Sequence, residues 1–195
     1  MSNELVLREN RDAVLTLTMN RPERKNAFNN PLYKAFAAAL QDAQKDDDVH
    51  VVVVTGTAGS FSAGQDFSEM NAAPTGDSGP HGFQVLMDTL CSFDKPLIAA
   101  VNGVAVGIGM TMLLHCDVVY LAESVRMRCP FVTLGVVPEA ASSYLLPLII
   151  GFQRAAEVLY TAQWIDAQRA LELGLAARVV PDGEVLAVAQ AKAAE

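Results

Sequence analysis

Cysteine, histidine and tryptophan are scarce in this chain of 195 residues, and each scarcity removes a class of chemistry. The three cysteines, Cys91, Cys116 and Cys129, are odd in number, sit in apolar or strand-like surroundings and lack metal-ligand spacing. A disulfide framework or a zinc site is therefore disfavoured, and a reducing cytoplasm fits. His50, His81 and His115 are scattered, none beside a nucleophile and an orienting acid, so a catalytic triad has little support and core or surface roles are expected. The single tryptophan, Trp164, reads as a packing residue at a helix junction. Cations are outnumbered, 14 Lys and Arg against 22 Asp and Glu, for a formal net charge of -8. That balance argues against nucleic acid or an anionic membrane as the main partner and makes any phosphate binding local. No apolar run is long enough to span a membrane, and Met1-Ser2-Asn3-Glu4 lacks the basic-then-apolar pattern of a leader.

What is present is apolar. At 51% hydrophobic residues the chain can bury a sizeable core, and residues 1–195 read as one domain of alternating strands and helices. Residues 4–8 and 13–19 predict a hairpin around the turn Glu9-Asn10-Arg11-Asp12, the second strand alternating at period two. Asn30 as cap and Pro31 as first residue predict a helix to about residue 45. The β-branched run at 50–55 reads as a strand buried on both faces. Residues 71–82 read as a surface loop that could serve as a lid, and 83–93 as an amphipathic helix. Further strands are expected at 97–101, 117–121, 125–128 and 176–180, and helices at 110–115, 145–150, 153–160, 167–173 and 182–195. No internal repeat is visible.

Two glycine-bearing loops follow buried strands. In Val101-Asn102-Gly103-Val104-Ala105-Val106-Gly107-Ile108-Gly109, a helix is expected to open just after Gly107. Its first N–H groups have no partner inside the helix and carry the positive end of its dipole, so they favour an oxygen bearing negative charge. Gly107 and Gly109 strip side-chain bulk from either side of Ile108, which serves either tight packing or close approach of a ligand. The loop Phe61-Ser62-Ala63-Gly64-Gln65-Asp66 offers another N–H, at Gln65. Two such donors converging on one oxygen would form an oxyanion hole. Asp66 reads chiefly as a structural cap. The cationic turn holding Arg21, Arg24 and Lys25 is either a solvated loop or a phosphate clamp. Glu139 is the only carboxylate between Glu123 and Glu157. Behind Pro138 it could be a helix-start glutamate favoured by the dipole; buried among apolar neighbours, it would have a raised pKa suited to proton transfer.

Taken together, Asn20-Arg21-Pro22 with Asn26-Ala27-Phe28, Phe61 to Asp66, Lys95-Pro96 with Ala99-Ala100-Val101-Asn102-Gly103, and Cys116-Asp117 resemble the crotonase (enoyl-CoA hydratase/isomerase) superfamily over nearly the whole chain. The resemblance implies an α/β spiral of ββα units with peripheral helices. It also implies acyl-CoA thioester substrates with no further cofactor or metal, and a thioester enolate held by the backbone N–H groups of Gln65 and Ile108. It places CoA along Ser62, Ala63, Gly64 and Asp66, with Arg24 or Lys25 near the phosphates, and the acyl part near Gly107, Thr111 and Phe131. A homotrimer or dimer of trimers is the implied assembly. Hydratases of the family use two glutamates, and the matching positions here are Thr111 and Phe131, which cannot exchange a proton at neutral pH. The segment from Pro138 to Tyr144 instead resembles that of peroxisomal-type Δ3,Δ2-enoyl-CoA isomerases, with Glu139 as single base. The alternatives are a CoA-thioester dehalogenase or hydrolase with Glu139 as nucleophile, and a non-catalytic acyl-CoA-binding module. Family members usually continue into a C-terminal helical segment beyond the helix begun at Asp182, whereas this chain stops at Glu195, as a shortened form would.

Overall fold

The computed structural model describes residues 4–70 and 80–195. In chain order the elements are β1 (Val6–Arg11), β2 (Val14–Met19), α1 (Asn30–Lys45), β3 (Val51–Gly56), β4 (Ser60–Ser62), α2 (Phe67–Met70), α3 (Gly82–Ser92), β5 (Leu97–Val101), β6 (Val104–Val106) and α4 (Ile108–Thr111). They continue with β7 (Val118–Ala122), β8 (Arg126–Arg128), α5 (Phe131–Leu134), α6 (Ser142–Ile150), α7 (Phe152–Thr161), β9 (Ile165–Asp166), α8 (Ala167–Leu173), β10 (Arg178–Val180) and α9 (Val185–Ala193). Short 3-10 turns occupy Pro22–Arg24 and Met112–His115. The loop expected at 71–82 falls largely outside the described residues.

Two sheets organise the chain. The larger has the order β1-β2-β3-β5-β7-β10 and the smaller the order β4-β6-β8-β9. Successive units repeat one path: a strand in the large sheet (β3, β5, β7), a short strand in the small sheet (β4, β6, β8), then a helix. The spiral of ββα units is therefore present although no repeat is visible in the sequence. Neighbouring strands from β2 onward in the large sheet run parallel, as do β4, β6 and β8. Strands covered on both faces are apolar throughout rather than alternating, which is why every residue of β5 is buried.

Two local expectations need correction. The hairpin turn is Asp12-Ala13, with both residues at positive φ (51° and 64°) and Arg11 opposite Val14. This two-residue geometry matches the twist of the strands, so β1 extends through Glu9, Asn10 and Arg11, which had been assigned to the turn. The cap of α1 is Asn29, whose side chain accepts from the Leu32 N–H, and not Asn30, which already begins the helix. The other end of α1 is closed by Lys95, whose Nζ donates to the carbonyls of Ala43, Asp46 and Val49 at 2.8, 2.6 and 2.7 Å. A cation there also meets the negative end of the helix dipole. Lys95→Met should leave these carbonyls with water at best and lower stability by about 1–3 kcal/mol, read as a reduced urea midpoint with an unchanged slope.

Candidate functional site

The ends of β4 and β6 are adjacent, because the two strands pair in parallel. The contact between their loops is too close for side chains. A Cβ on Gly64 would lie 2.6 Å from the Val106 carbonyl oxygen, and one on Gly109 would lie 2.5 Å from that of Ser62. Behind the first loop, buried Asn26 donates to the carbonyls of Thr57 and Ser60 and accepts from the Arg21 N–H. Ser62 Oγ donates to the Asn26 carbonyl at 2.8 Å and accepts from the Gly64 N–H.

The directions of two N–H groups follow from trans peptide geometry. The Gly64 carbonyl accepts from the Phe28 N–H, and the Asp66 N–H donates to the Phe28 carbonyl. The Gln65 N–H, trans to the Gly64 carbonyl, must therefore point away from Phe28. The Gly107 carbonyl accepts from the N–H groups of Met110 and Thr111, so the Ile108 N–H points out of the start of α4. Among the described residues, neither N–H has a hydrogen-bond partner. Gln65 and Ile108 both line a cavity of about 860 Å3.

Glu139 lines the same cavity and is the only carboxylate to do so among the described residues. Burial pushes its carboxyl up from 4.5 to about 7, and the hydrogen bond from Thr111 opposes that rise. Thr111 Oγ1 lies 2.7 Å from Glu139 Oε1 and 3.1 Å from the Gly107 carbonyl oxygen. Glu139 Oε2 is buried without a hydrogen-bond partner. Its backbone is fixed by Ser142, whose N–H and Oγ both donate to the Glu139 carbonyl at 2.9 and 2.5 Å. Ala140 and Ala141, immediately after it, both hold positive φ (50° and 52°), a conformation that costs an alanine roughly 1 kcal/mol or more. His115 Nε2 lies 3.0 Å from the Ala140 carbonyl oxygen, and the nearby Cys129 thiol is pushed up to about 12 by burial and by Glu139, so it stays neutral.

Ala63, Gly64, Gln65, Gly107, Ile108, Phe131 and Glu139 thus converge on the cavity. Thr111 sits behind Glu139 rather than on the cavity wall. The side chain of Ser62 faces inward, fully buried. Asp66 is a structural group: Oδ1 accepts from the Ser68 N–H and hydroxyl, and these bonds with Arg21 hold its carboxyl at about 2. Arg21 Nη1 is 2.7 Å from Asp66 Oδ2 while aiming its N–H at the Ala27 carbonyl, so this is a charge contact, not an aligned hydrogen bond. Arg24 and Lys25 are exposed and off the wall, yet the Lys25 carbonyl accepts the Ala63 N–H, which puts the cationic turn against the β4 loop.

Other lining residues escaped the sequence reading. Tyr33 reaches in from α1, its Oη donating to Gln65 Oε1 at 2.7 Å, and His81 caps α3. Trp164 is not a packing residue: it is 45% exposed and lines the cavity with Arg128. In the sequence these two are far apart, and only the antiparallel pairing of β8 with β9 joins them. The close approach of the two loops gives a test. Gly109→Ala should cost about 1–3 kcal/mol by driving a methyl into backbone. Gly135→Ala, at φ 68° but with open space around the added methyl, should cost only about 1 kcal/mol; urea unfolding compares the two.

Comparison with known proteins bears on this geometry. The model of the enoyl-CoA hydratase/isomerase family matches residues 9–195. The 1,2-epoxyphenylacetyl-CoA isomerase of Escherichia coli (strain K12) is 36% identical over 193 residues, covering 96% of this chain and 74% of that protein. Enoyl-CoA delta isomerase 2 of Rattus norvegicus is 36% identical over 174 residues, 87% of this chain and 44% of the relative. The crystal structure of an enoyl-CoA hydratase from Mycobacterium marinum superposes with a TM-score of 0.92 at 46% identity, covering 97% of this chain and 90% of that one.

Proposed function

The chain belongs to the enoyl-CoA hydratase/isomerase family and has the crotonase fold; from that premise we propose that it is a Δ3,Δ2-enoyl-CoA isomerase working with one base. The observation that carries this reading is that Glu139, with a free buried oxygen and a carboxyl lifted to about 7, is the one carboxylate on the cavity wall among the described residues. Relatives of this chain bear both isomerase and hydratase names, so overall similarity does not choose between them. The side chains do. Adding water calls for groups that hold and activate it, and Thr111 and Phe131 offer no carboxylate. A 1,3-proton shift needs one group that takes a proton and returns it.

The thioester carbonyl oxygen accepts from the N–H groups of Gln65 and Ile108, which stabilise the negative charge that develops there. Glu139 Oε2 removes the proton from C2, the dienolate forms, and the same oxygen returns the proton to C4. Burial matters twice. It lifts the carboxyl into the range useful near neutral pH, and it strengthens the two N–H contacts by excluding water. The CoA portion runs over the β4 loop beside Ala63, with Arg24 and Lys25 by the phosphates. Exposed apolar residues on α6 and α7, among them Leu148, Phe152 and Tyr160, support a homotrimer or dimer of trimers.

Glu139→Gln keeps the shape and removes the proton acceptor. Conversion of a 3-enoyl-CoA to the 2-enoyl ester should fall by roughly two to four decades while ester binding persists. Near-parental rates, or brisk hydration of a 2-enoyl ester by the parent, would overturn the single-base reading.

The same carboxyl sets a stability trade. Its folded pKa of about 7 exceeds the ordinary 4.5, so between those values the folded state holds a proton that the unfolded chain has released. Parental stability therefore drops as pH rises from about 4.5 to 7. Glu139→Gln should be the more stable protein above pH 7, by an amount on the order of 2–3 kcal/mol that vanishes toward pH 4.5. Urea melts across that range read the difference.

Thr111 gives a third test. Its hydroxyl holds the Glu139 carboxyl down, so Thr111→Val should move the rise of kcat/KM with pH to higher pH, at a much smaller cost in rate at the plateau than Glu139→Gln. Thr111→Ser should restore the parental profile. An unshifted profile in Thr111→Val would mean that the hydroxyl does not tune the base.

A further inference from the structure

The strand order of the small sheet ranks the cavity wall from one side to the other. The Gln65 N–H follows β4, the Ile108 N–H follows β6, Arg128 ends β8, and Trp164 precedes β9. The exposed cations Arg24 and Lys25 lie against the β4 loop, at the first edge. Arg128 and Trp164 lie on the far side of the two donors. A thioester held by Gln65 and Ile108, with CoA leaving over β4, therefore sends its acyl chain toward β8 and β9.

A second cationic group waits there. The guanidinium carbons of Arg126 and Arg128 each lie 5.5 Å from the centroid of the Trp164 ring. Arg128 is half-buried, and the one hydrogen bond of its side chain to the protein among the described residues runs from Nε to the Ala162 carbonyl at 2.6 Å. Among the described residues, its two terminal nitrogens have no acceptor and no carboxylate lies within ion-pairing distance of either arginine. Asp166, opposite Arg126 across the strands, spends its carboxylate on the Arg169 N–H that it caps. The segment that follows Arg128 adds Phe131, Leu134, Val136 and Val137 to the cavity lining, with Thr133 as its polar member. A guanidinium lodged in such a wall without a counter-anion is costly, and its planar fork fits a carboxylate.

We propose that the cavity takes acyl-CoA esters whose acyl chain ends in a carboxylate, bound by Arg128 against Trp164. This rests on the thioester reading above, though not on the isomerase step. Two strand spacings, roughly 10 Å, separate the end of β4 from the end of β8, so the acyl group is a short dicarboxylic one. The same guanidinium would also attract the phosphates of CoA, and the experiment must separate the two anions.

Calorimetric titration with adipyl-CoA, hexanoyl-CoA and free CoA needs no turnover, so its result stands even if no 3-enoyl ester is isomerised. The parent should bind adipyl-CoA about tenfold to a hundredfold more tightly than hexanoyl-CoA, as one charge-assisted pair predicts. Arg128→Met should bring that ratio to about one, and Arg128→Glu should invert it. Arg128→Lys keeps the charge and gives up the fork, so it should retain part of the preference, which guards against a folding defect in the other variants. A parent with no preference for adipyl-CoA overturns the proposal. So does an equal loss of free-CoA and adipyl-CoA affinity in Arg128→Met, since the guanidinium would then be serving the phosphates.

Discussion

The site depends on how closely two stretches of backbone approach each other. β4 and β6 are neighbours in the small sheet, and where they run into their loops the contact leaves no room for a Cβ on Gly64 or Gly109. That contact is what brings two backbone N–H groups, from residues 43 positions apart (108 − 65), to one wall of one cavity. Side-chain donors could be moved there by rotamer changes, but backbone donors are placed only by the path of the chain. Behind the first loop, Asn26 donates to the carbonyls of Thr57 and Ser60 and so fixes the chain where it enters β4. The two N–H groups are fixed in place because the chain could not close its strands otherwise, as the proposed oxyanion role requires.

Against that rigid half stands a half that is held under strain. Glu139 is half-buried with one oxygen unpartnered, and the two alanines after it occupy left-handed conformations that glycine would adopt more easily. Such a segment would relax if nothing fixed it. Ser142 binds the Glu139 carbonyl twice, His115 contacts the Ala140 carbonyl, and the methyl of Ala140 is itself buried. The core therefore holds a carboxyl in surroundings that disfavour its charge. This is a stability cost concentrated on the group proposed above as the base.

The outline of this arrangement is legible in the sequence, and the reasons for the gaps are physical. Long buried strands such as β3 and β5 show as β-branched or apolar runs, and α1 shows through Asn30-Pro31 at its start, one residue after the asparagine that caps it. Strands of two or three residues carry no period, so of the small sheet only β8 reads as a strand, within 125–128, and the ββα repeat stays hidden. Glu139 stands out as an isolated carboxylate in an apolar stretch. Its contact with Thr111, 28 residues away, does not, because it depends on how α4 meets the segment before α6. The residues that make the family recognisable, Asn26, Lys95 and Asp117 among them, turn out to bond backbone: Asp117 accepts from the Leu97 N–H, and Lys95 closes α1. They mark the scaffold, while Arg128 and Trp164, which give the cavity its individual character, carry no signal until β8 and β9 pair.

Thr111 joins the two halves. A hydroxyl has one proton and so can satisfy one acceptor at a time, yet Thr111 faces both the Gly107 carbonyl and Glu139. The carboxylate is the stronger acceptor while it is charged. In the proposed mechanism the proton taken from the substrate sits on Oε2, and Oε1 of the neutral carboxyl is then a weaker acceptor, which would free the Thr111 proton to turn to Gly107. The Gly107 carbonyl belongs to the same peptide unit as the Ile108 N–H, and accepting a bond polarises that unit and strengthens the N–H as a donor. In that mechanism the moment when Glu139 holds the proton would also be the moment when the enolate oxygen carries most charge. If the proposed mechanism holds, Thr111 would couple the charge state of Glu139 to the strength of the Ile108 N–H as a donor without taking part in proton transfer to substrate.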